Sequence, residues 1–396
     1  MPARFNERKC QQLLWYLYTG SGNRSISENK RIILLAVLFA AGYFETDFES
    51  MFAQVHTPSI LPPAHLDNYL SIGWFRMGQN IFTTNFLNFK GQFYSAVWLR
   101  INLKTYQADS TEIKLRKFNA RFSVQFSKAN INEENEALFL RYRQSVAFEA
   151  SASLHQLLYG KASCDIYDTY QVEIRDDDKL IACGFFDLGM NAAAGITSFY
   201  DPDYRKHSLG KYLIYLKINF CKDAGLDYFY PGYFVPGYSF FDYKLSIGRR
   251  VLQFLDYATN QWAPIGDFNP MLAPIRILED KLNSLQIMMA KARIACELYR
   301  YEFFEANLLP ELKDVGLFDH PYFLHFPLVH GGPWVTVVVF DIKDETYRLI
   351  RCRSVWNSTL PNQNGMYSSE LLKEEVLVFS HPSPAEMVSA LAVEIA

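Results

Sequence analysis

The amino-acid sequence predicts an α+β protein whose main sheet is mixed and flanked by helices, followed by a C-terminal α+β extension. Residues 196–200 are apolar and β-prone, residues 209–220 have apolar side chains at helical spacing, and residues 226–230 are β-prone again. Before this strand–helix–strand unit, residues 167–174 and 179–188 form a predicted hairpin around three consecutive aspartates. Hairpin, strand, helix and strand in this order indicate one sheet with parallel and antiparallel pairs.

The first 50 residues form an N-terminal extension that shows no recognisable chemistry. Its long apolar run, residues 32–42, is shorter than the ~20 residues that a membrane-spanning helix needs, so we expect no membrane partner. A core helix is the favoured interpretation, and a late signal segment stays open because Lys30 and Arg31 precede the run. Met51 is an alternative start of the chain.

The composition excludes some classes of protein and indicates a compartment. A net charge of −3 over 396 residues argues against a basic nucleic-acid coat and against an acidic tail. The six cysteines lie far apart without a C-x-x-C pair, which argues against a zinc or iron–sulfur site and for a reducing compartment. His320, His325 and His330 recur every five residues, a period that fits neither a helix face nor a strand face. We therefore predict no metal, no cofactor and a cytoplasmic location.

Residues 51–130 form a basic, aromatic N-terminal part. Between residues 76 and 128 there are nine lysines and arginines against two acids, interleaved with aromatic residues. This excess suits a phosphate backbone with unstacked bases, while a solvated positive face stays open as the alternative. The alternation of residues 97–103 predicts a strand.

Residues 131–250 hold the predicted core of the protein. Residues 132–160 are predicted to be helical, with glutamates at the positive helix end. In the strand–helix–strand unit, residues 201–203 mark a turn, Ser208 stands at the N-cap position and Gly225 at the C′ position of the helix. A strand that ends into a helix start offers N–H groups to a phosphate or an oxyanion, and an ordinary packing unit is the alternative.

Residues 251–396 form the predicted C-terminal extension. The amphipathic pattern of residues 275–309 predicts one long helix. Residues 335–340 and 346–351 are β-prone runs on either side of a turn, and the tail from Pro382 is a predicted terminal helix.

Several short motifs follow one another in the second half of the chain: a Y-D-P-x-Y turn, an S-L-G-x-Y helix start, a Y-x-Y-x-G-Y strand and a Y-K pair. The positions that carry them are Tyr200, Asp201, Pro202, Tyr204, Ser208, Leu209, Gly210, Tyr212, Tyr228, Tyr230, Gly232, Tyr233, Gly237, Tyr243 and Lys244. In this order and spacing they resemble the C-terminal half of the arginyl-tRNA–protein transferase family, which includes bacterial leucyl-transferring members.

The first half of the chain has further matches to the same family. They lie at Gly73, Phe75, Arg76, Gly78, Arg100, Ile101, Arg116, Lys117 and Asn119. One departure is plain, because the family's cysteine cluster is replaced by TNFLNF at residues 84–89. A soft-metal or iron–sulfur site needs thiolates, so none can form at this place.

The resemblance implies an acetyltransferase-like (GNAT-related) fold and an aminoacyl-tRNA–protein transferase. Such an enzyme moves an amino acid, in this family usually arginine, from charged tRNA to the N-terminal α-amine of an acceptor protein. The expected catalytic residues are Tyr233, Tyr243, Lys244 and Asp201. The expected substrate-binding residues are Ser208, Leu209, Gly210, Tyr200 and Tyr230, and the expected tRNA-binding residues are Arg76, Arg100, Arg116 and Lys117.

The expected roles follow from the needs of aminoacyl transfer. The N–H groups of Leu209 and Gly210, with the hydroxyls of Tyr233 or Tyr243, would stabilise an oxyanion. Lys244 would pair with a phosphate or the acceptor end of the tRNA. Asp201 or Asp203 would hold the incoming amine or a basic side chain, and a turn role is the alternative for Asp201.

Two other functions stay open. One is an acyl-CoA acyltransferase of the same fold, although residues 205–210 only loosely fit the expected pyrophosphate loop. The other is a binding protein that has kept the fold and lost catalysis.

Overall fold

The computed structural model describes residues 52–89, 91–146, 151–162, 164–327, 334–358 and 361–395. Residues 1–51, with the apolar run at 32–42, and His330 of the histidine series lie outside the described residues.

The described residues form strands and helices, with short 3-10 segments between them. The helices are α1 (Pro63–Ser71), α2 (Ser110–Phe118), α3 (Glu133–Ser145), α4 (Leu154–Tyr159), α5 (Leu209–Asp223), α6 (Pro274–Lys291) and α7 (Pro384–Ile395). The strands are β1 (Ala53–His56), β2 (Phe75–Met77), β3 (Asn80–Thr84), β4 (Phe86–Phe89), β5 (Gln92–Ser95), β6 (Val97–Asn102), β7 (Ser123–Lys128), β8 (Thr169–Asp176), β9 (Lys179–Leu188), β10 (Ala192–Tyr200), β11 (Tyr228–Phe234), β12 (Leu252–Asp256), β13 (Gln261–Pro264), β14 (Glu297–Tyr301), β15 (Tyr322–His325), β16 (Trp334–Asp341), β17 (Thr346–Asn357), β18 (Met366–Tyr367) and β19 (Glu370–His381).

The central sheet has the order β13-β12-β6-β11-β10-β9-β8-β7. Its neighbours are antiparallel except for β10 and β11, which are parallel and joined by α5. A parallel pair needs such a crossover, and here the helix covers one face of the sheet. The predicted α+β class and the β8–β9 hairpin are confirmed. The sheet takes strands from all three predicted segments, 51–130, 131–250 and 251–396.

Helix α5 is amphipathic and buries one face against the sheet. The residues buried on this helix are Leu209, Tyr212, Leu213, Ile214, Tyr215, Lys217, Ile218 and Cys221. The helix ends as predicted, because Gly225 has φ +82, a conformation that glycine adopts without steric strain. The start differs from the prediction: Ser208 precedes the helix, but its backbone is left-handed and its side chain makes no capping bond. The 3-10 segment Pro202–His207 runs directly into α5, and this junction sets the backbone of Ser208.

The predicted helical segment 132–160 consists of two helices, α3 and α4. Asn132 caps α3 with a reciprocal capping box, and the chain leaves the helix at Val146, whose backbone is extended. Ser153 caps α4 by accepting a hydrogen bond from the Gln156 N–H. Each helix therefore has its own start signal, which an apolar count over the whole segment does not reveal.

The extension contains a second large sheet with the order β18-β14-β15-β16-β17-β19. The predicted β16–β17 hairpin and terminal helix α7 are confirmed. The predicted long helix over 275–309 is wrong beyond Lys291. Arg293 has φ +61, and residues 297–301 instead pair as β14 with β15. The aromatic residues at 299–304 fitted a helical period by coincidence: Tyr299 and Tyr301 lie on β14, and Phe303 and Phe304 are buried in the turn after it.

A small hairpin connects the two large sheets. Phe86 on β4 and Phe93 on β5 are buried in the core of the extension, together with Phe52 just before β1. Leu87, on the other face of β4, is buried against the segment that follows β11. Each fully buried phenylalanine contributes about 1.5–3 kcal/mol by leaving water. The hairpin therefore fastens the extension to the central sheet.

Candidate active-site cleft

The central sheet opens between its two parallel strands. β10 and β11 pair only at Ala192–Tyr228, Ala193–Phe229 and Ala194–Tyr230. Just beyond these pairs, β10 has an irregularity at Ile196 and β11 has one between Phe229 and Gly232. Residues 195–198 and 231–233 are consequently half-buried, although both lie on central strands. Bulges re-aim strands in this way, and we call the region where the pairing of β10 with β11 ends the cleft.

Lys244 lies on the β11 side of this cleft. It belongs to the 3-10 segment Ser239–Ser246, and its Nζ donates a hydrogen bond to the Tyr233 carbonyl at 2.8 Å. A Cβ placed on Gly232 would lie 3.2 Å from this Nζ, so the glycine leaves room for the amine. The rings of Tyr233 and Phe241 are within 5.3 Å and 5.2 Å of Nζ. Burial lowers the pKa of Lys244 to about 7.

Three tyrosines surround the other end of the cleft. The rings of Tyr142 on α3 and Tyr200 at the end of β10 are 5.3 Å apart. Burial raises the pKa of Tyr142 to about 12, and the nearby hydroxyls of Tyr200 and Tyr243 add to the shift. Tyr243 is 46% exposed. A Cβ on Gly210 would meet the Tyr200 ring at 3.4 Å, so this ring covers the start of α5.

The start of α5 and the Lys244 segment are tied together. Lys211 Nζ donates to Ser246 Oγ at 2.9 Å, and this hydroxyl donates to the Tyr243 carbonyl at 2.6 Å. The structure thus brings Tyr200, Gly210 and Tyr243 to one side of the molecule, with Lys244 next in the chain. Leu209 is buried with its side chain in the core, and only its backbone can face the cleft.

Sequence reasoning missed Lys217, which lies behind the cleft on α5. It is 2% exposed, and its Nζ donates to Thr197 O at 3.0 Å, Ser198 Oγ at 2.9 Å and Phe185 O at 3.3 Å. These acceptors surround the irregularity of β10, so the amine satisfies carbonyls that the bulge leaves without strand partners. Burial lowers its pKa to about 7. The sequence signal was a lysine four residues after Leu213, on the apolar face of the helix.

Asp201, predicted to be catalytic, does not face the cleft as a free group. Asp201 is 1% exposed, and its carboxylate is 2.8 Å from Lys179 Nζ and 3.2 Å from Arg141 Nη1. It also accepts a hydrogen bond from the Asp203 N–H, as in an Asx turn. Burial opposes its charge, but these partners lower the pKa of Asp201 overall. The geometry corrects the expected catalytic role in favour of the turn role.

Two other residues, one predicted to bind tRNA and one predicted to bind substrate, are buried in the structure. Arg76 forms a buried ion pair with Asp187 at 2.8 Å and donates to Thr169 Oγ1 at 2.8 Å, so it does not face tRNA. Tyr230 is 1% exposed and packs between Phe75 and Trp262 on the opposite face of the sheet from α5. Both expectations are corrected, since neither side chain is available to a substrate.

Arg100 is half-buried on strand β6 of the central sheet. Its guanidinium stacks on Tyr228 at 4.1 Å and on Trp262 at 4.5 Å, and its Nε donates to Gln253 Oε1. This side chain links its own strand, β6, to β11, β12 and β13, and these contacts account for its position without a bound RNA.

Arg116 and Lys117, in contrast, are exposed in the last turn of α2. The side chain of Asn119 ties this end of α2 to the 3-10 segment before α5, by donating to the His207 carbonyl at 3.1 Å. A basic surface therefore surrounds the start of α5; its exposed members are Lys114, Arg116, Lys117, Arg121, Arg205 and Lys206. Phe118 is 54% exposed on the same surface and stacks on His207.

The cavities of the extension are separate from this cleft. Two of about 410 Å³ lie beside Tyr367 and Tyr299, lined mainly by polar groups. Neither contains a residue of the central sheet. No helix in the described ranges is long and apolar enough to cross a membrane.

Residues 134–252 match the sequence model of the family described as arginine-tRNA-protein transferase, C terminus. This range contains β10, α5, β11 and Lys244. Residues 134–252 therefore resemble the aminoacyl-tRNA–protein transferases, a class of acyltransferase enzymes. Within this class, the match is to the C-terminal domain of the arginine-tRNA-protein transferases, and the predicted resemblance is confirmed.

Relatives of known name cover similar parts of the chain. The aspartate/glutamate leucyltransferase of Leptospira interrogans is 29% identical over 175 residues, which are 43% of this chain and 68% of the relative. That of Paracoccus denitrificans is 27% identical over 226 residues, 51% of this chain and 75% of the relative. A solved tandem GNAT protein from the clavulanic acid biosynthesis pathway aligns with a TM-score of 0.25 and 12% identity, over 53% of this chain and 62% of that one.

Proposed function

We propose that this chain is an aminoacyl-tRNA–protein transferase whose reaction takes place in the cleft between β10 and β11. The observation that carries the proposal is the position of Lys244 beside Gly232, where β11 has already separated from β10, inside the matched family domain. A lysine that burial holds near pKa 7 suits a base at neutral pH.

In the proposed reaction, the α-amine of the acceptor protein attacks the ester carbonyl of the aminoacyl-tRNA. A C–N bond forms, the C–O bond to the terminal ribose breaks, and the ribose oxygen leaves with a proton. Neutral Lys244 accepts the proton that the attacking amine loses and returns one to the ribose oxygen. The ester is already activated, so the rest of the site has to orient the amine and stabilise the oxyanion.

The proposed oxyanion donors are the backbone N–H of Gly210 at the helix start and the hydroxyl of Tyr243. The link from Lys211 to Ser246 keeps these two groups on the same side of the cleft. Tyr233 acts through its backbone carbonyl, which holds the Lys244 amine in place. Removing one such donor from a preorganised site typically slows transfer by about 100-fold or more.

We propose an apolar amino acid, leucine first, as the transferred residue. The named relatives are leucyltransferases, and aromatic side chains surround the described cleft. Asp201, the carboxylate expected to hold an arginine side chain, is already neutralised by Lys179 and Arg141. Arginine remains the alternative, with exposed Asp203 as its counter-charge.

The proposed tRNA contact is the basic surface around the start of α5. Its lysines and arginines would neutralise backbone phosphates, and exposed Phe118 offers a ring for stacking. The substrate supports a cytoplasmic location, where the five described cysteines, which are free thiols, stay reduced.

The test is a transfer assay with the full-length protein. tRNA charged with radiolabelled leucine or arginine is mixed with peptides that begin with Asp, Glu, Arg or Ala, and label on the peptide is counted. We expect leucine transfer to the acidic peptides. Lys244→Ala and Tyr243→Phe should each reduce it by about 100-fold.

Lys313→Ala is the matched control, because this lysine lies in the extension and pairs only with exposed Asp314. Unchanged transfer by both cleft variants would remove these residues from the site. Salt-dependent tRNA binding without transfer from any charged tRNA would favour the alternative of a binding protein that has lost catalysis.

A further inference from the structure

We propose that the extension holds a divalent transition-metal ion, with zinc the best match, between Asp319, His320 and Glu374. One ligand atom from each residue lies within 4.8 Å of the others. The proposal is independent of the transfer reaction, because these residues lie in the second sheet.

Backbone pairing builds the cluster. The segment before Asp319 runs beside β19: Phe318 N–H donates to Leu372 O at 2.9 Å, and Glu374 N–H donates to Gly316 O. This register places His320 Nε2 at 3.8 Å from Glu374 Oε1. The distance is too long for a hydrogen bond and close to the separation of about 3.4 Å between two ligands of a tetrahedral zinc ion.

The imidazole of His320 lacks the usual partners of a buried histidine. It is 1% exposed between the rings of Phe52 and Phe318, and its Nδ1 has no hydrogen-bond partner. The nitrogen that faces Glu374 is Nε2, so the ring would bind the ion through Nε2.

A second orphaned group lies beside the cluster. The hydroxyl of Tyr257 is buried without a hydrogen-bond partner among the described residues, and burial, with the nearby carboxylates of Asp341 and Asp319, raises its pKa. A water on the bound ion would give this hydroxyl a hydrogen-bond partner.

The charges around the cluster also favour a cation. Asp319 is buried and accepts hydrogen bonds from the N–H groups of Phe52 and Ala53 at 2.6 Å and 3.1 Å, and Glu374 is largely buried. The Arg348 guanidinium acts on Glu374 and also pairs with Asp341 and Asp344.

The ligand set selects the kind of ion. One imidazole and two carboxylates suit zinc, and three protein ligands leave a position for water. Asp319 also accepts hydrogen bonds from the backbone N–H groups of Phe52 and Ala53, at the start of β1. The ion would therefore fasten residues 52–53 to β19.

The test is metal binding by the full-length protein after removal of metals with a chelator. Zinc chloride is titrated by calorimetry, bound zinc is counted by mass spectrometry, and thermal unfolding is followed with and without zinc. We expect one zinc per chain and a higher unfolding temperature. Binding of cobalt(II) should give the visible absorption of a low-symmetry site.

Glu374→Gln and Asp319→Asn keep size and hydrogen-bonding capacity while removing the charge of one ligand. Each should weaken zinc binding by about 100-fold and abolish the zinc-dependent rise in unfolding temperature. Glu375→Gln is the control, because this neighbour pairs with Arg353 at 2.7 Å.

Less than one tenth of an equivalent of zinc in the wild-type protein would overturn the proposal, whatever the variants do. Equal binding by Glu374→Gln and the wild type would also overturn it, because the ion would then lie elsewhere. If a variant fails to fold, the wild-type stoichiometry and cobalt spectrum still decide the question.

Discussion

The two large sheets of this protein differ in how far their middle strands stay paired. In the central sheet, β10 and β11 share three residue pairs and then separate, whereas β16 and β17 of the extension stay paired over eight. Residues 195–198 beside the opening are half-buried, but Val337, Val338 and Val339 in the extension are fully buried. A sheet that opens in its middle exposes backbone groups and side chains to a substrate, and one that stays closed provides a core.

Where the central sheet opens, backbone carbonyls need hydrogen-bond donors from side chains, which the closed sheet of the extension does not need. Lys217 carries an amine into the interior to satisfy carbonyls at the bulge of β10. Lys244 does the same for the Tyr233 carbonyl on the other side. Both amines have their pKa lowered to about 7 by burial. The comparison therefore separates residues that stabilise the fold from residues that serve the cleft.

The largest effect on stability should come from the closed sheet. Phe323 on β15 is fully buried and contacts Phe318, Tyr301 and Tyr367 at 5.2–5.8 Å between ring centroids. Phe323→Ala should lower the free energy of unfolding by about 3–5 kcal/mol because it leaves a cavity. Urea unfolding measures the loss, and Phe118→Ala on the exposed face of α2 should change it little. Equal losses would contradict the closed-core description.

Next in size is the removal of the amine behind the cleft. Lys217→Met should lower the free energy of unfolding by about 1–3 kcal/mol, since it leaves the Thr197 and Phe185 carbonyls unsatisfied. The pH dependence gives a second readout. The lysine pKa is about 7 when folded and 10.5 when unfolded, so the unfolded state binds more protons between these values.

Stability of the wild type should therefore gain from Lys217 as the pH rises from 7 to 10.5, and lose that gain as the pH falls through 7. The difference in unfolding free energy between wild type and Lys217→Met should grow over this range. Lys222→Met, at the exposed end of α5, is the control. A constant difference would show that the amine is not buried as described.

A smaller effect is expected from a methyl group at the cleft. Gly232 has φ +87 and faces Lys244, whereas Gly237 has φ +83 and nothing within 4 Å of an added Cβ. Both alanine variants should cost about 1–2 kcal/mol in backbone strain. Only Gly232→Ala also displaces the lysine, so only this variant should slow transfer beyond its loss of stability. Equal transfer rates would place Lys244 outside the reaction.

The smallest effect should come from the basic surface. Arg116→Glu and Lys117→Glu together should reduce the slope of log affinity for tRNA against log salt by about two. Filter binding at several salt concentrations measures the slope. Arg276→Glu, in the extension, should leave it unchanged. An unchanged slope in the first variant would move the tRNA contact to another face.

The sequence predicted what local pattern and motif order determine. The hairpin β8–β9, helix α5 with its Gly225 end, and the β16–β17 hairpin come from short-range periodicity. The grouping of Tyr200, Gly210 and Lys244 was predicted from sequence motifs that follow the order and spacing of the family. The separation of β10 from β11 after Ala194 could not be predicted from the sequence. It depends on bulges, which are seen only in the strand pairing of the structure.

Long-range partners account for the rest of the differences. Arg76 looked like an RNA contact, but Asp187 lies 111 positions along the chain and buries it. Asp201 looked catalytic because Arg141 and Lys179, far from it in sequence, were not known to converge on it. The Asp319, His320 and Glu374 cluster was missed for the same reason, since periodicity among histidines ignores a glutamate from another strand.

The β4–β5 hairpin makes it unsafe to shorten this protein to the length of its matched domain. A fragment that ends near residue 252 would uncover Phe52, Phe86 and Phe93, which the extension now keeps from water. Such a fragment should aggregate on expression, and its inactivity would say nothing about the chemistry of the cleft.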